Sequence, residues 1–195
     1  MAYDIVVIGA SAGGLEAVAQ LLAQLPSDFA LPVVIAQHRA PAPDGDIAAI
    51  WQRVTALHVA DAEDKAPIEP GRVHVAPADY HLLVESRDGF ALSTDPPVLW
   101  ARPSIDVLFE SASDVYGDKV IGVILTGASA DGSQGLKAVR ARGGCALVQD
   151  PLTAECAVMP QAAIGAAGVN HVLPVQDLGR IVAALAGHRL PGAGR

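Results

Sequence analysis

The chain opens on Asp4-Ile5-Val6-Val7-Ile8-Gly9-Ala10-Ser11-Ala12-Gly13-Gly14, a β-branched run followed at once by six small residues. Asp4–Ile8 has the unbroken apolar character of a strand covered on both faces. Leu15–Leu25 then places Leu15, Val18, Leu22 and Leu25 on one helical stripe, and Pro26 stops it. Strand, tight turn and helix make the first unit of an α/β fold. The unit recurs along the chain. Leu31–Ala36 reads as a second strand, Ile47–Leu57 as a helix and Val59-Ala60 as a short strand. Arg72–Pro77, Tyr80–Val84 and Phe90–Ser93 alternate or flank turn residues and read as an antiparallel hairpin region. Ser104 has the place of an N-cap for a helix over Ile105–Tyr116. Lys119–Leu125 is a buried strand, and the helix after it runs to Arg142 and closes at Gly143-Gly144. Cys145–Val148, Pro160–Ala167, Val172–Leu173 and Leu178–Ala186 follow as strand, helix, strand and helix. The expected fold is a doubly wound, three-layer α/β/α domain. Its sheet is mainly parallel, with a small antiparallel hairpin insertion around residues 70–94.

Composition narrows the function. With 195 residues, 51% hydrophobic and 17% charged, the chain is long enough for one domain with a substantial core and too apolar for extended disorder. A net charge of -8 speaks against binding nucleic acid or an anionic membrane surface. No apolar run approaches the ~20 residues of a membrane span, and Met1-Ala2-Tyr3-Asp4 lacks the basic start of a signal peptide. The two cysteines, Cys145 and Cys156, are too few for a disulfide framework. A cytoplasmic protein with reduced thiols is the expectation.

In open α/β sheets ligands bind beyond the carboxyl ends of the strands. The first strand delivers Ser11 there, the second His38, and the strand near residue 120 delivers the loop Thr126–Asp131. A hydroxyl, an imidazole and a carboxylate are the parts of an activated nucleophile. Gly9-Ala10-Ser11-Ala12-Gly13 also fits G-x-S-x-G in the strand–turn–helix setting that the pattern needs. The order Ser, His, Asp, with the serine after the first strand, excludes the ordinary α/β-hydrolase fold. Taken singly, each residue has a plainer reading: Ser11 as a turn residue of a phosphate-binding loop, His38 as a loop histidine, Asp131 as the N-cap of the helix behind it. Gly9, Ser11 and Gly14 also mimic a dinucleotide loop, and Arg39 suits a 2′-phosphate, so an NADP-type oxidoreductase stays open, as does a non-catalytic module of the same fold. Asp106 and Glu16 read as helix-surface or first-turn acids. The other histidines show no metal-ligand spacing.

Several motifs together resemble the catalytic domain of chemotaxis protein-glutamate methylesterases. They are Ile8–Gly14, Gln37-His38, Pro70–Pro77, Arg102–Phe109, Leu125-Thr126-Gly127 through Asp131-Gly132, Gln149-Asp150-Pro151 and Met159–Ile164. The resemblance runs in order from about residue 4 to 187, which makes residues 1–187 one catalytic domain and 188–195 a tail. It implies a serine hydrolase that cleaves glutamate γ-methyl esters on chemoreceptor signalling helices, releases methanol, and in some members deamidates receptor glutamines. It implies Ser11 as nucleophile, His38 as base and Asp131 as acid, with Ala12, Gly127 and Ala128 near the oxyanion or substrate. No cofactor and no metal are implied. Two positions depart from the pattern: Ala12 stands where Thr is common, and Ala128-Ser129 where Met-Gly is common. An effect on rate or substrate preference is expected there. Well-known members also carry a phospho-receiver domain ahead of the catalytic strand. With that strand beginning at Asp4, control by a separate receiver or other regulatory protein is expected. Receptor helices tend to be acidic like this chain, so a local basic patch of Arg39, Arg102 and Arg140 is expected at the mouth of the site.

Overall fold

The N-terminal apolar run becomes β1 (Ile5–Ala10), the middle strand of a seven-stranded, wholly parallel sheet. The structure is a computed structural model that describes residues 3–39 and 46–188. β1 alternates between two cores. Val6 and Ile8 join the one formed with α1 (Gly14–Leu22), α2 (Ile47–Gln52) and α6 (Val175–Leu185). Ile5 and Val7 join the other, formed with α3 (Ile105–Tyr116), α4 (Ser133–Ala141) and α5 (Val158–Ala167). Apolar side chains on both faces explain why the strand shows no polar alternation. The remaining strands of the sheet are β2 (Val33–Gln37), β3 (His58–Asp61), β4 (Arg72–Val75), β7 (Val120–Ile124), β8 (Cys145–Gln149) and β9 (His171–Leu173). Their spatial order is β3-β4-β2-β1-β7-β8-β9. The chain first winds outward through β2 and later returns to β7 on the opposite side of β1. The strand order therefore reverses at β1, where doubly wound folds leave a crevice at the carboxyl edge.

Two elements differ from expectation. Arg72–Val75 is not part of the antiparallel insertion; it pairs in parallel with both β2 and β3. The alternation that suggested a half-exposed hairpin comes from His74, which is buried. Its ring packs edge-on against Phe90 at 5.0 Å and accepts the Glu69 N–H at 3.2 Å. The antiparallel pair is only β5 (His81–Ser86) with β6 (Gly89–Ser93), which covers the α3 side of the sheet. Helix α2 ends at Gln52, short of Leu57, because the Gln52 amide donates to the carbonyls of Thr55 and Leu57 and accepts the Val59 N–H. These bonds turn the chain into β3. Beyond His188, the expected tail lies outside the described residues. Among the described residues no helix is long and apolar enough to cross a membrane.

Candidate active site

Register brings Ser11 and His38 to the same level. Ala10 pairs with Gln37 across β1 and β2, and the His38 N–H donates to the Ala10 carbonyl at 3.0 Å. The next residues on these neighbouring strands, roughly 4.8 Å apart, are Ser11 and His38 themselves. The Ser11 backbone is pinned on both sides. Its N–H donates to the Thr126 carbonyl at 3.0 Å, and its carbonyl accepts from Gly14 N–H at 2.8 Å and from the Gln37 side-chain amide at 2.9 Å. Its Oγ makes no hydrogen bond among the described residues. Gly13 allows this turn, with φ of 74° in the left-handed region at the head of α1. Gly9 serves a different purpose: a Cβ there would collide with Ile105, so the missing side chain lets the head of α3 rest on β1.

Asp131 reaches His38 from the far side of β1, on the loop after β7. It is not the cap of its own helix: Gly132 holds the N-cap position of α4 without a side-chain bond. Instead Asp131 caps α3. It accepts Ile105 N–H at 2.7 Å, Asp106 N–H at 3.0 Å, the Ser104 hydroxyl at 2.9 Å and Gly132 N–H at 3.1 Å. The fifth donor is His38 Nε2, at 2.7 Å from Oδ2. Asp131 has no exposed surface, and His38 only 13%. Burial by itself would raise the Asp131 pKa. The bonds from His38 and from the N–H groups of Ile105 and Asp106 outweigh it and hold the carboxyl below its ordinary value. An ionised carboxylate only accepts, so Nε2 carries the imidazole proton and Nδ1 is left with a lone pair. A base of that tautomer, one strand from a serine hydroxyl, has the means to take the hydroxyl proton.

Asp106 also departs from its reading as a surface acid. It is buried and accepts the Gly135 N–H of α4 at 2.7 Å. The two helices are thus cross-capped, α3 by the aspartate that precedes α4, and α4 by the aspartate of α3. Burial pushes the Asp106 carboxyl up to about 6, opposed by the Gly135 N–H and assisted by the charge of Asp131.

The backbone donors near Ser11 divide into spent and unspent groups. His38 N–H is engaged by Ala10, as above. Gly127 N–H donates to the Cys156 carbonyl at 3.1 Å. Gly127 therefore has no free N–H to offer, although it lies beside Ser11. A Cβ at this position would lie 2.9 Å from Ser11 Cβ and 2.7 Å from Met159 Cε, so this glycine makes room beside the serine. The N–H groups of Ala12, Gly13 and Ala128 meet no acceptor among the described residues, and Ala12 and Ala128 are exposed. Three polar residues that the motifs contained without an assigned role hold this arrangement. Gln37, ending β2, bonds the carbonyls of both Ser11 and His38. Gln149, ending β8, accepts the Thr126 N–H at 2.9 Å. Thr126 Oγ donates to the Ala12 carbonyl at 2.8 Å and accepts the Cys156 N–H at 2.9 Å. A glutamine closing an apolar strand just before a candidate site residue was the available signal. The expected basic patch is only partly present. Arg39 and Arg102 line a cavity of about 390 Å³ with His38. Arg140 is bonded to the carbonyls of Gly144 and Gly168, at the amino end of β8 and the opposite edge of the sheet.

The chain as a whole is similar to known proteins. A family model described as CheB methylesterase matches residues 6–182. The chain belongs to the CheB methylesterase family. A protein of Leptospira interrogans named putative protein-glutamate methylesterase/protein-glutamine glutaminase is 49% identical over 93% of this chain and 94% of its own length. Protein-glutamate methylesterase FrzG of Myxococcus xanthus is 40% identical over 91% of this chain, which spans 53% of that protein. The crystal structure of the Thermotoga maritima CheB methylesterase catalytic domain superposes with a TM-score of 0.89 at 31% identity. It covers 95% of this chain and all of that domain. By this membership the chain is a hydrolase.

Proposed function

We propose that the protein is a serine esterase that removes methyl groups from glutamate γ-methyl esters on the signalling helices of chemoreceptors. We extend the reading to receptor glutamines, deamidated at the same site. The observation that carries it is the His38–Asp131 pair, 2.7 Å apart, with His38 just past the end of β2, the strand paired with the one that leads into Ser11. Nδ1 of His38 takes the Ser11 proton as Oγ attacks the ester carbonyl, and Asp131 steadies the imidazolium through Nε2. The carbonyl oxygen gains charge and is received by the unspent N–H groups of Ala12 and Ala128, with Gly13 behind them at the head of α1. His38 then gives its proton to the departing methoxide, releasing methanol. Water, deprotonated by the same imidazole, cleaves the acyl-enzyme. Backbone donors survive the Ala12 and Ala128 side chains, which is why the departures from the family pattern leave the chemistry in place.

The test is methanol release from a methyl-esterified receptor fragment, alongside labelling by a fluorophosphonate. The wild-type chain is expected to release methanol and to be labelled at Ser11. Ser11→Ala is expected to lose both. Normal methanol release from Ser11→Ala would overturn the reading.

A further inference from the structure

The cavity beside His38 has an unusual wall. Between β6 and α3 the chain forms a two-residue turn, Leu99-Trp100, closed by paired hydrogen bonds between Val98 and Ala101 at 2.9 and 3.1 Å. Both central residues have positive φ, 46° at Leu99 and 67° at Trp100. That is the type I′ pattern, which Asn-Gly adopts readily and bulky side chains resist. The strained turn also carries the most exposed large apolar side chain of the described residues, the fully exposed Trp100, with Leu99 beside it exposed to 53%. Nothing in the fold rewards this choice, because neither side chain joins a core. The turn is nevertheless held firmly. Arg102 next to it donates to Asp79 Oδ1, to the Thr94 carbonyl at 2.9 Å and to the Asp95 carbonyl at 3.1 Å. Strain maintained by its surroundings, at the rim of a site, points to function.

We propose that Leu99 and Trp100 form the seat for the apolar face of the substrate helix, and so set which helices the enzyme accepts. The proposal rests on the esterase reading of the same site. Leu99, Trp100 and His38 line one cavity, so a helix lying on the indole has its next residues at the imidazole. The cavity, about 390 Å³, is lined by His38 and not by Ser11, so it takes the part of the helix that flanks the reacting glutamate. Charge cannot draw the partner in. The chain carries -8, a glutamate-rich helix is acidic, and both arginines of the cavity are already committed, Arg102 to Asp79 and Arg39 to Asp61 at 3.4 Å. Short-range contact with an aromatic anchor is the recognition left, and a rigid indole supplies it at low entropic cost.

The test is the double variant Leu99→Asn, Trp100→Gly, which keeps the turn type while removing both side chains and the strain. Its melting temperature is expected to equal or exceed that of the wild type. With a methyl-esterified receptor helical hairpin as substrate, KM is expected to rise about tenfold or more with kcat little changed. Hydrolysis of p-nitrophenyl acetate and fluorophosphonate labelling are expected to stay at wild-type levels. Trp51 is buried, so Trp100 is the solvent-exposed emitter of the two tryptophans. In Ser11→Ala its fluorescence should shift to the blue as the esterified hairpin is added. An unchanged KM overturns the seat while leaving the esterase reading intact. Parallel loss of p-nitrophenyl acetate hydrolysis overturns it by showing a structural role. A wild-type dimer that becomes monomeric in the variant overturns it in favour of self-association. Absence of methanol release from the wild type overturns both readings.

Discussion

The two sides of the cleft are built on opposite rules. On the carboxylate side both side-chain oxygens of Asp131 are used: they have five donors and no exposed surface. On the serine side Oγ is unbonded, and the N–H groups of Ala12, Gly13 and Ala128 are unspent among the described residues. The difference teaches how the site divides its labour. One side is finished before any substrate arrives and fixes the imidazole. The other is held by its backbone, through Gln37 and Thr126, and leaves its donors free, as the proposed reaction requires for the charge that develops in it.

Breaking the finished side should have the largest effect. Asp131→Ala removes the acceptor of Ile105 and Asp106 N–H and leaves His38 free to take the wrong tautomer. Methanol release is expected to fall about 10⁴-fold. Unfolding in urea should show a loss of about 3–5 kcal/mol, because several buried donors are stranded at once. Activity loss without a stability loss would mean that the cross-capping of α3 and α4 is incidental. Next in size is the open side. Gln37→Ala frees the carbonyls of Ser11 and His38 without touching a reacting atom. A drop of about 10²-fold in kcat is expected, with fluorophosphonate labelling slowed to a similar degree. Its stability loss should be near 1 kcal/mol, and wild-type kcat in this variant would show that the strand ends alone position the pair.

The same division explains what the sequence disclosed. Strand and helix periodicity carried the architecture, since buried parallel strands and amphipathic helices write their burial directly into residue type. It failed at His74, where a buried, hydrogen-bonded histidine has the same alternation as an exposed strand. That Ser11, His38 and Asp131 would meet at one edge of the sheet was legible because each follows a strand end. The supporting residues were less legible. Asp106 looks like any first-turn acid, and only the packing of α4 against α3 buries it. Gln37 and Gln149 are ordinary polar residues until a neighbouring loop supplies their partners. Which N–H groups are spent is decided by Cys156 and Ala10 carbonyls, and no local pattern encodes that. The Leu99-Trp100 turn escaped for the converse reason: its residues contradict the turn they occupy.

The smallest effect separates the two buried carboxylates, which respond to pH with opposite sign. Asp131 has a lowered pKa, so its contribution is present above the unfolded value of 3.8 and is lost as pH falls below it. Asp106 is raised to about 6, so the folded state binds its proton more tightly than the unfolded chain. Its contribution is full below about pH 4 and is lost as pH rises through 6. Asp106→Asn keeps an acceptor for Gly135 N–H and resembles the protonated acid at every pH. Denaturation series at pH 4.5 and pH 8 should therefore diverge. The variant is expected to exceed the wild type by only about 1 kcal/mol at pH 4.5 and by about 3 kcal/mol at pH 8. The pH dependence of methanol release should be the same in the variant and the wild type, because Asp106 touches no reacting atom. If the variant is instead less stable at pH 8, the Asp106 charge is serving the head of α4, and the carboxylate side carries a second anion because its helices require one.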